Sequence, residues 1–197
     1  MNRPSRSAAI STTLTTARLR LRPWRQEDLP PFAAMNADPR VMEHFPRVLT
    51  PEESERQVAG IADHIQKHGV GFWAVDVPGE ADFVGFVGLS IPTFEAHFTP
   101  CVEIGWRLAF EHWGRGYATE AARAALDCGF QRLGLEEIVA FTVGANWRSR
   151  RVMERLRMTR SAADDFDHPR LPPGHPLRPH VLYRLKRPSA AGESTLS

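Results

Sequence analysis

Residues 111–130, EHWGRGYATEAARAALDCGF, constrain this chain more than any other stretch. Gly114 and Gly116 stand one residue apart, and an alanine-rich run follows without a break. Ala118, Ala121, Ala122, Ala125, Leu126, Gly129, Phe130 and Leu133 recur at helical spacing and form one face, which Gly134 ends. The preceding CVEIGWRLAF alternates apolar Val102, Ile104, Trp106 and Leu108 with Cys101, Glu103, Gly105 and Arg107, the period of a strand. A strand that feeds a helix through two glycines is either a plain connector or an anion cradle. The cradle reading has a physical basis. A helix N-terminus leaves backbone N–H groups unpaired and carries partial positive charge. Gly114, Gly116 and Ala118 let a ligand approach that backbone, and Arg115 adds charge. No Walker A loop is present, and Thr119 stands where a dinucleotide fingerprint needs its third glycine.

The remaining pattern is mixed. ARLRLRPW alternates Leu19 and Leu21 with Arg18, Arg20 and Arg22 and reads as a strand. RQEDLPPFAAMNAD reads as a short helix. Thr50, Pro51 and Glu53 form a helix start with a capping box. Val58, Ile61, Ala62 and Ile65 give that helix an apolar stripe, and Gly69 stops it. GFWAVDV and DFVGFVGLSI form a hairpin around a Pro-Gly turn. Gly105 inside its strand marks a bulge or a close approach to the backbone. EIVAFTV is a strand, and Asn146 caps a helix over WRSRRVMERLRM whose buried stripe is Val152, Met153 and Leu156. Residues 161–179, with five prolines, form a long irregular loop before a closing strand, PHVLYRLKR. The fold class is therefore α/β.

A chain of 197 residues with 42% hydrophobic residues supports one domain and a full core. We assign residues 14–187 to that domain, residues 1–13 to a flexible N-terminal tail and residues 188–197 to a flexible C-terminal tail. Two cysteines are too few for a disulfide framework and favour a reduced, cytoplasmic protein. No run is long enough for a membrane span, and the N-terminus has no apolar stretch of a secretory signal. The net charge is only +2, and the arginine clusters lack the aromatic interleaving of a nucleic-acid binder. The Asp and His residues of DDFDHPRLPPGH sit among prolines, which argues against a rigid metal site.

Read in order, VEIGWRLAFEHWGRGYATEAARAALDCGF, NWRSRRVMERLRM and ARLRLRPWRQEDL resemble the GNAT N-acetyltransferases. The similarity is closest to the ribosomal-protein N-terminal acetyltransferase (RimJ/RimL-type) branch and covers Ala17 to Arg187. The resemblance implies a single-domain fold with a mostly antiparallel sheet flanked by helices and splayed between its fourth and fifth strands. It implies transfer of an acetyl group from acetyl-CoA to a primary amine, on a peptide or protein N-terminus or a small molecule, with no metal. The alternatives on the same fold are an acyl-CoA sensor and an antibiotic or polyamine acetyltransferase. The chain would act as a monomer or homodimer.

Residue by residue, the resemblance places acetyl-CoA on Ile104, Gly105, Trp106 and Arg107, on Arg115, Gly116, Tyr117, Ala118 and Thr119, and on Asn146, Ser149 and Arg151. Glu103 is the candidate general base, or else an ion-paired surface glutamate. Ser149 is the candidate donor to the leaving sulfur, or else an ordinary helix serine. Arg150 and Arg151 meet the CoA phosphates or form a solvated helix face. Three positions depart from the family pattern: Trp113 where a polar residue is usual, Met153 where many members carry an acid tyrosine, and Arg157 where a glycine is usual. Tyr183 is a reserve acid or a buried strand tyrosine, and Cys101 would serve only a ping-pong route. The loop before the last strand, with the first helices, should wall the acceptor pocket.

Overall fold

The computed structural model describes residues 13–188. The greater part of each tail assignment, residues 1–12 and 189–197, lies outside the described residues. Strands β1 (Leu14–Thr15) and β2 (Arg20–Arg22) precede helix α1 (Leu29–Ala37) and helix α2 (Pro51–His68). Strands β3 (Phe72–Val77), β4 (Ala81–Ser90) and β5 (Glu103–Leu108) lead to helix α3 (Tyr117–Asp127). Then come β6 (Glu137–Val143), α4 (Trp147–Arg155), β7 (Thr159–Arg160), β8 (Phe166–Asp167) and β9 (Pro179–Lys186). The sheet order is β1-β2-β3-β4-β5-β6-β9-β7, with β8 also on β9. All pairings are antiparallel except β5 with β6. The expected α/β sheet is present, and none of its described helices is long and apolar enough to cross a membrane.

Side-chain alternation explains the layers. On β3, Trp73, Val75 and Val77 join one apolar cluster with Ala121, Ala122, Ala125 and Leu126 of α3. Phe72 and Ala74 join the other, with Phe32 and Met35 of α1. Successive strand residues point to opposite faces, so α3 and α1 cover opposite sides of the sheet. The alanine face of α3 lets its axis lie close to the strands. Thr50 caps α2 by accepting from Glu53 N–H, and Gly69 ends it at φ 69°, as read from the sequence.

Three readings need correction, and the two alternatives for Gly105 resolve to one. Ala62 is exposed rather than part of the buried stripe. Arg22 sits in the polar phase of its alternation yet is 2% exposed, because Asp28 and Asp76 fold over it at 2.7 and 2.8 Å. A buried cation needs such partners. Gly105 carries no bulge: β4 and β5 pair without a register shift, and the close approach is the Phe72 ring, 3.2 Å from where a Cβ would stand. The helix over 117–133 turns into a π-helical segment at Cys128–Arg132. The loop 161–179 is irregular apart from one 3-10 turn, Ala162–Asp164, and the short β8.

Arg157, where the family usually has glycine, is the non-glycine residue of positive φ among the described residues (61°). It sits just past α4, where Arg157 N–H bonds Glu154 O at 2.9 Å and Met158 N–H bonds Met153 O at 3.0 Å. That is the bond pair of a Schellman ending, which requires a left-handed residue at this position. Arginine is strained there, so Arg157→Gly should stabilise the fold by about 1 kcal/mol. Thermal unfolding should show Tm rising by about 2–4 °C; a lower Tm would show that the arginine side chain compensates for its backbone.

Candidate active site

The parallel pair β5/β6 is held at a single register position, Glu103 with Val139, and Val139 N–H bonds Val102 O at 2.9 Å. Beyond it the strands part. Peptide groups of alternate residues face the same edge of a strand. Ile104 N–H closes the bridge on Val139 O, whereas Ile104 C=O and both peptide groups of Trp106 turn toward the side that β6 has left. Leu108 O on the same edge accepts from Trp113 Nε1 at 2.8 Å. Trp113, where the family usually has a polar residue, thus spends its polar atom on the strand.

A cavity of about 840 Å³ opens at this splay. It runs from the N-terminus of α3 to Glu103 and on to the loop before β9. Its lining brings together Glu103, Gly105, Trp106, Arg107, Gly116, Tyr117, Ala118, Thr119, Asn146, Ser149 and Arg151 from the sequence reading. Two named residues lie apart. The Ile104 side chain is buried in the core at 1% exposure, leaving only its C=O for the cleft. The Arg115 guanidinium is held by Glu80 of the β3–β4 turn and does not line the cavity.

At the α3 end, Gly114 and Gly116 have φ of 76° and 81°. A Cβ on Gly114 would meet nothing within 4 Å, and one on Gly116 would meet only Arg18 Nη2 at 3.4 Å. The first bond of α3 runs from Glu120 N–H to Gly116 O, which leaves the N–H groups of Tyr117, Ala118 and Thr119 with no acceptor in the helix. These groups and the open glycine backbone fit a diphosphate.

On α4, Asn146 Oδ1 accepts from Ser149 N–H at 3.1 Å, and its Nδ2 donates to Thr142 Oγ1 at 3.0 Å. Ser149 Oγ accepts from Trp106 Nε1 at 3.3 Å. That bond uses an oxygen lone pair and leaves the Ser149 hydroxyl hydrogen free to donate. The two arginines of this helix separate. Arg151 lines the cavity and stacks over Trp147, whereas Arg150 donates to Tyr183 Oη and Gly144 O. Tyr183 is buried, bonds Glu154 and Arg150, and does not line the cavity.

Glu103 is half-buried, with solvent reaching it from the cavity. Burial pushes its carboxyl up to about 8, and the nearby Arg170 charge opposes the shift. Cys101 lies outside the cavity, and its thiol is pushed up to about 11 by burial and by Glu103. It is almost wholly protonated at neutral pH and a poor nucleophile.

Sequence reading missed other lining groups. His168 and His180 meet with ring centroids 5.0 Å apart and planes tilted by 48°, beside Phe141 and Phe166. Burial pushes His168 down to about 4, with His180 adding to the shift, and burial lowers His180. They come from a proline-rich loop and the start of β9, so no spacing signals their meeting. Arg40, Phe45 and Pro46, from the segment after α1, also line the cavity. The last loop is present in the lining, whereas the first helices contribute no lining residue and only the segment between them does.

The profile of the Acetyltransferase (GNAT) domain family matches residues 18–159. The chain is 34% identical over 171 residues to an FsC-acetyl coenzyme A-N(2)-transacetylase of Aspergillus fumigatus, across 82% of this chain and 71% of that one. Among solved structures, an acetyltransferase of Agrobacterium tumefaciens superposes with a TM-score of 0.70 at 28% identity, covering 88% of this chain and 94% of that one. RimJ of Mycobacterium smegmatis, solved with CoA-disulfide, shares the fold (TM-score 0.72) at 19% identity, over 90% of this chain and 88% of that one. The splayed sheet, the glycine cradle at α3 and these matches agree: the chain is an acyltransferase that belongs to the GNAT acetyltransferase family.

Proposed function

We propose that this enzyme transfers the acetyl group of acetyl-CoA to a primary amine, on a peptide or protein N-terminus or on a small molecule, by direct attack within a ternary complex. The splay carries the reading. One continuous cavity joins a diphosphate cradle at α3 to unpaired strand peptide groups and a carboxyl of raised pKa.

Tyr117, Ala118 and Thr119 N–H groups bind the diphosphate, and Arg151 meets a phosphate from α4. Ile104 C=O and the Trp106 peptide groups hold the pantetheine arm, and Trp106 N–H, which faces the cleft, steadies the oxyanion. The thioester supplies an activated acyl carbon. Glu103 takes a proton from the acceptor ammonium, directly or through water. The freed amine attacks, a C–N bond forms, the C–S bond breaks, and the thiolate leaves toward the Ser149 hydroxyl and takes up the proton that the acylated nitrogen sheds. Both cysteines are free thiols, in keeping with the cytoplasmic location proposed for the chain.

Turnover assays with acetyl-CoA and a panel of peptides and small amines test the reading through thiol release. Within that assay, Ser149→Ala should lower kcat by about tenfold or more, the worth of a hydrogen bond to a charged group. An undiminished rate would remove Ser149 from the departure of the thiolate.

A further inference from the structure

We propose that the Arg107 guanidinium is the anion-binding element of the acceptor subsite, so that the acceptor is an amine carrying a carboxylate near its reacting nitrogen. This rests on the acetyltransferase reading and names the substrate class for the same site.

Arg107 lines the cavity yet is only 9% exposed. Its Nη1 donates to Asn36 Oδ1 at 2.7 Å, and the Phe45 and Phe86 rings lie 4.2 and 5.4 Å from its Cζ. Its Nε is buried without an acceptor. Among the described residues no carboxylate lies within salt-bridge distance of it, whereas Arg40 and Arg148 in the same lining pair with Asp38 and Glu43. Arginine is almost never buried this far without an acidic partner, because aromatic faces and a neutral amide replace only part of its hydration. Burial lowers its pKa to about 10, which still leaves it charged at neutral pH. A fixed fork of donors with no acid of its own matches a carboxylate supplied by the ligand.

Position assigns that ligand to the acceptor rather than to CoA. Asn36 belongs to α1 and Phe45 to the segment after it, elements separate from the α3 cradle. Glu103, Gly105 and Arg107 share one face of β5, so the Cα atoms of Glu103 and Arg107 flank that of Gly105, each about 7 Å from it along the strand. Glu103 Oε1 reaches back to 3.9 Å from where a Gly105 Cβ would stand. The Phe72 ring covers Gly105 on this face, so an amine seated beside that ring meets Glu103 on one side while its carboxylate meets Arg107 on the other. Asn36 is itself fixed, because its Nδ2 donates to Ser54 Oγ at 3.0 Å.

The test saturates the enzyme with CoA and titrates in paired product mimics: N-acetylglycine with N-acetylglycinamide, and N-acetylphenylalanine with N-acetylphenylalaninamide. Tryptophan fluorescence reports binding, since Trp106, Trp113 and Trp147 line the cavity. Each acid should bind about tenfold or more tighter than its amide, as a charge-assisted pair predicts. Arg107→Gln should bring that ratio to about one, and Arg107→Lys, which keeps charge without the fork, should leave an intermediate ratio. Equal affinity of acid and amide in the native enzyme, no binding of any mimic, or a preference that survives Arg107→Gln would overturn the proposal. So would a uniform loss for acid and amide with a lower Tm in both variants, the mark of a structural tie to Asn36. Failure of CoA to bind at the outset would overturn the acetyltransferase reading as well; CoA binding without acid preference would overturn this inference alone.

Discussion

Glu103→Gln lowers kcat by about 10²- to 10⁴-fold, the usual contribution of a general base, while KM for acetyl-CoA stays within about twofold. The side chain reaches the cavity from the one position where β5 still pairs with β6, so its replacement leaves the diphosphate cradle untouched. The pH profile carries the sharper signature. Burial raises the carboxyl from 4.5 to about 8, and only its unprotonated form accepts a proton. Activity should therefore fall as pH drops through about 8 in the native enzyme. With an acceptor whose own amine titrates well below that range, the inflection should vanish in Glu103→Gln. The same shift has a stability consequence of fixed sign. A folded-state pKa above the unfolded value means that the unfolded chain releases the proton first, so the native glutamate costs stability increasingly from pH 4.5 to about 8. The glutamine variant should be the more stable protein above that window. Unchanged kcat with an unchanged profile would remove Glu103 as base.

Gly88→Ala should be, with Gly85→Ala, among the most damaging single methyls in the sheet. A Cβ on Gly88 would lie 2.1 Å from Gly71 O and 2.6 Å from Phe72 Cα, both backbone atoms that cannot step aside. Gly88 pairs with Phe72 on one side and Gly105 on the other, so any shift spreads β3 from β4 beneath the cavity floor. We expect a loss of about 3 kcal/mol or more, read as Tm lowered by about 6–12 °C in a chain of this size. Gly60→Ala is the control: it lies inside α2 with nothing within 4 Å of the added atom. Alanine is the better helix former there and should raise stability by about 0.5–1 kcal/mol. Equal, small effects at both positions would contradict the packing account.

These glycines also show what the sequence could and could not convey. Gly114 and Gly116 fitted a plain connector or a cradle equally, and only the order of the motifs around them favoured the cradle. Thr50, Glu53 and Gly69 were legible locally, since caps are written within four residues of their targets. Glu103, Asn146 and Ser149 followed from order along the chain, and the cavity gathers all three. Contacts between distant segments were not legible. Arg22 looked solvent-facing by its period, and Asp28 together with Asp76, fifty-four residues on, makes it a core residue. Arg115 looked like a ligand arginine, and the Glu80 turn takes it. His168, His180 and Asn36 reach the site region through tertiary pairing that no local pattern encodes.

The central claim is a direct transfer between two bound substrates. Mass spectrometry of enzyme, acetyl-CoA and an amine acceptor, run with each component omitted in turn, tests it most directly. The account predicts CoA thiol and N-acetylated acceptor in equal amounts, only when both substrates are present, with the enzyme itself unmodified. An acetyl group found on Cys101 or another side chain when the acceptor is omitted, and passed on when it is added, would contradict it.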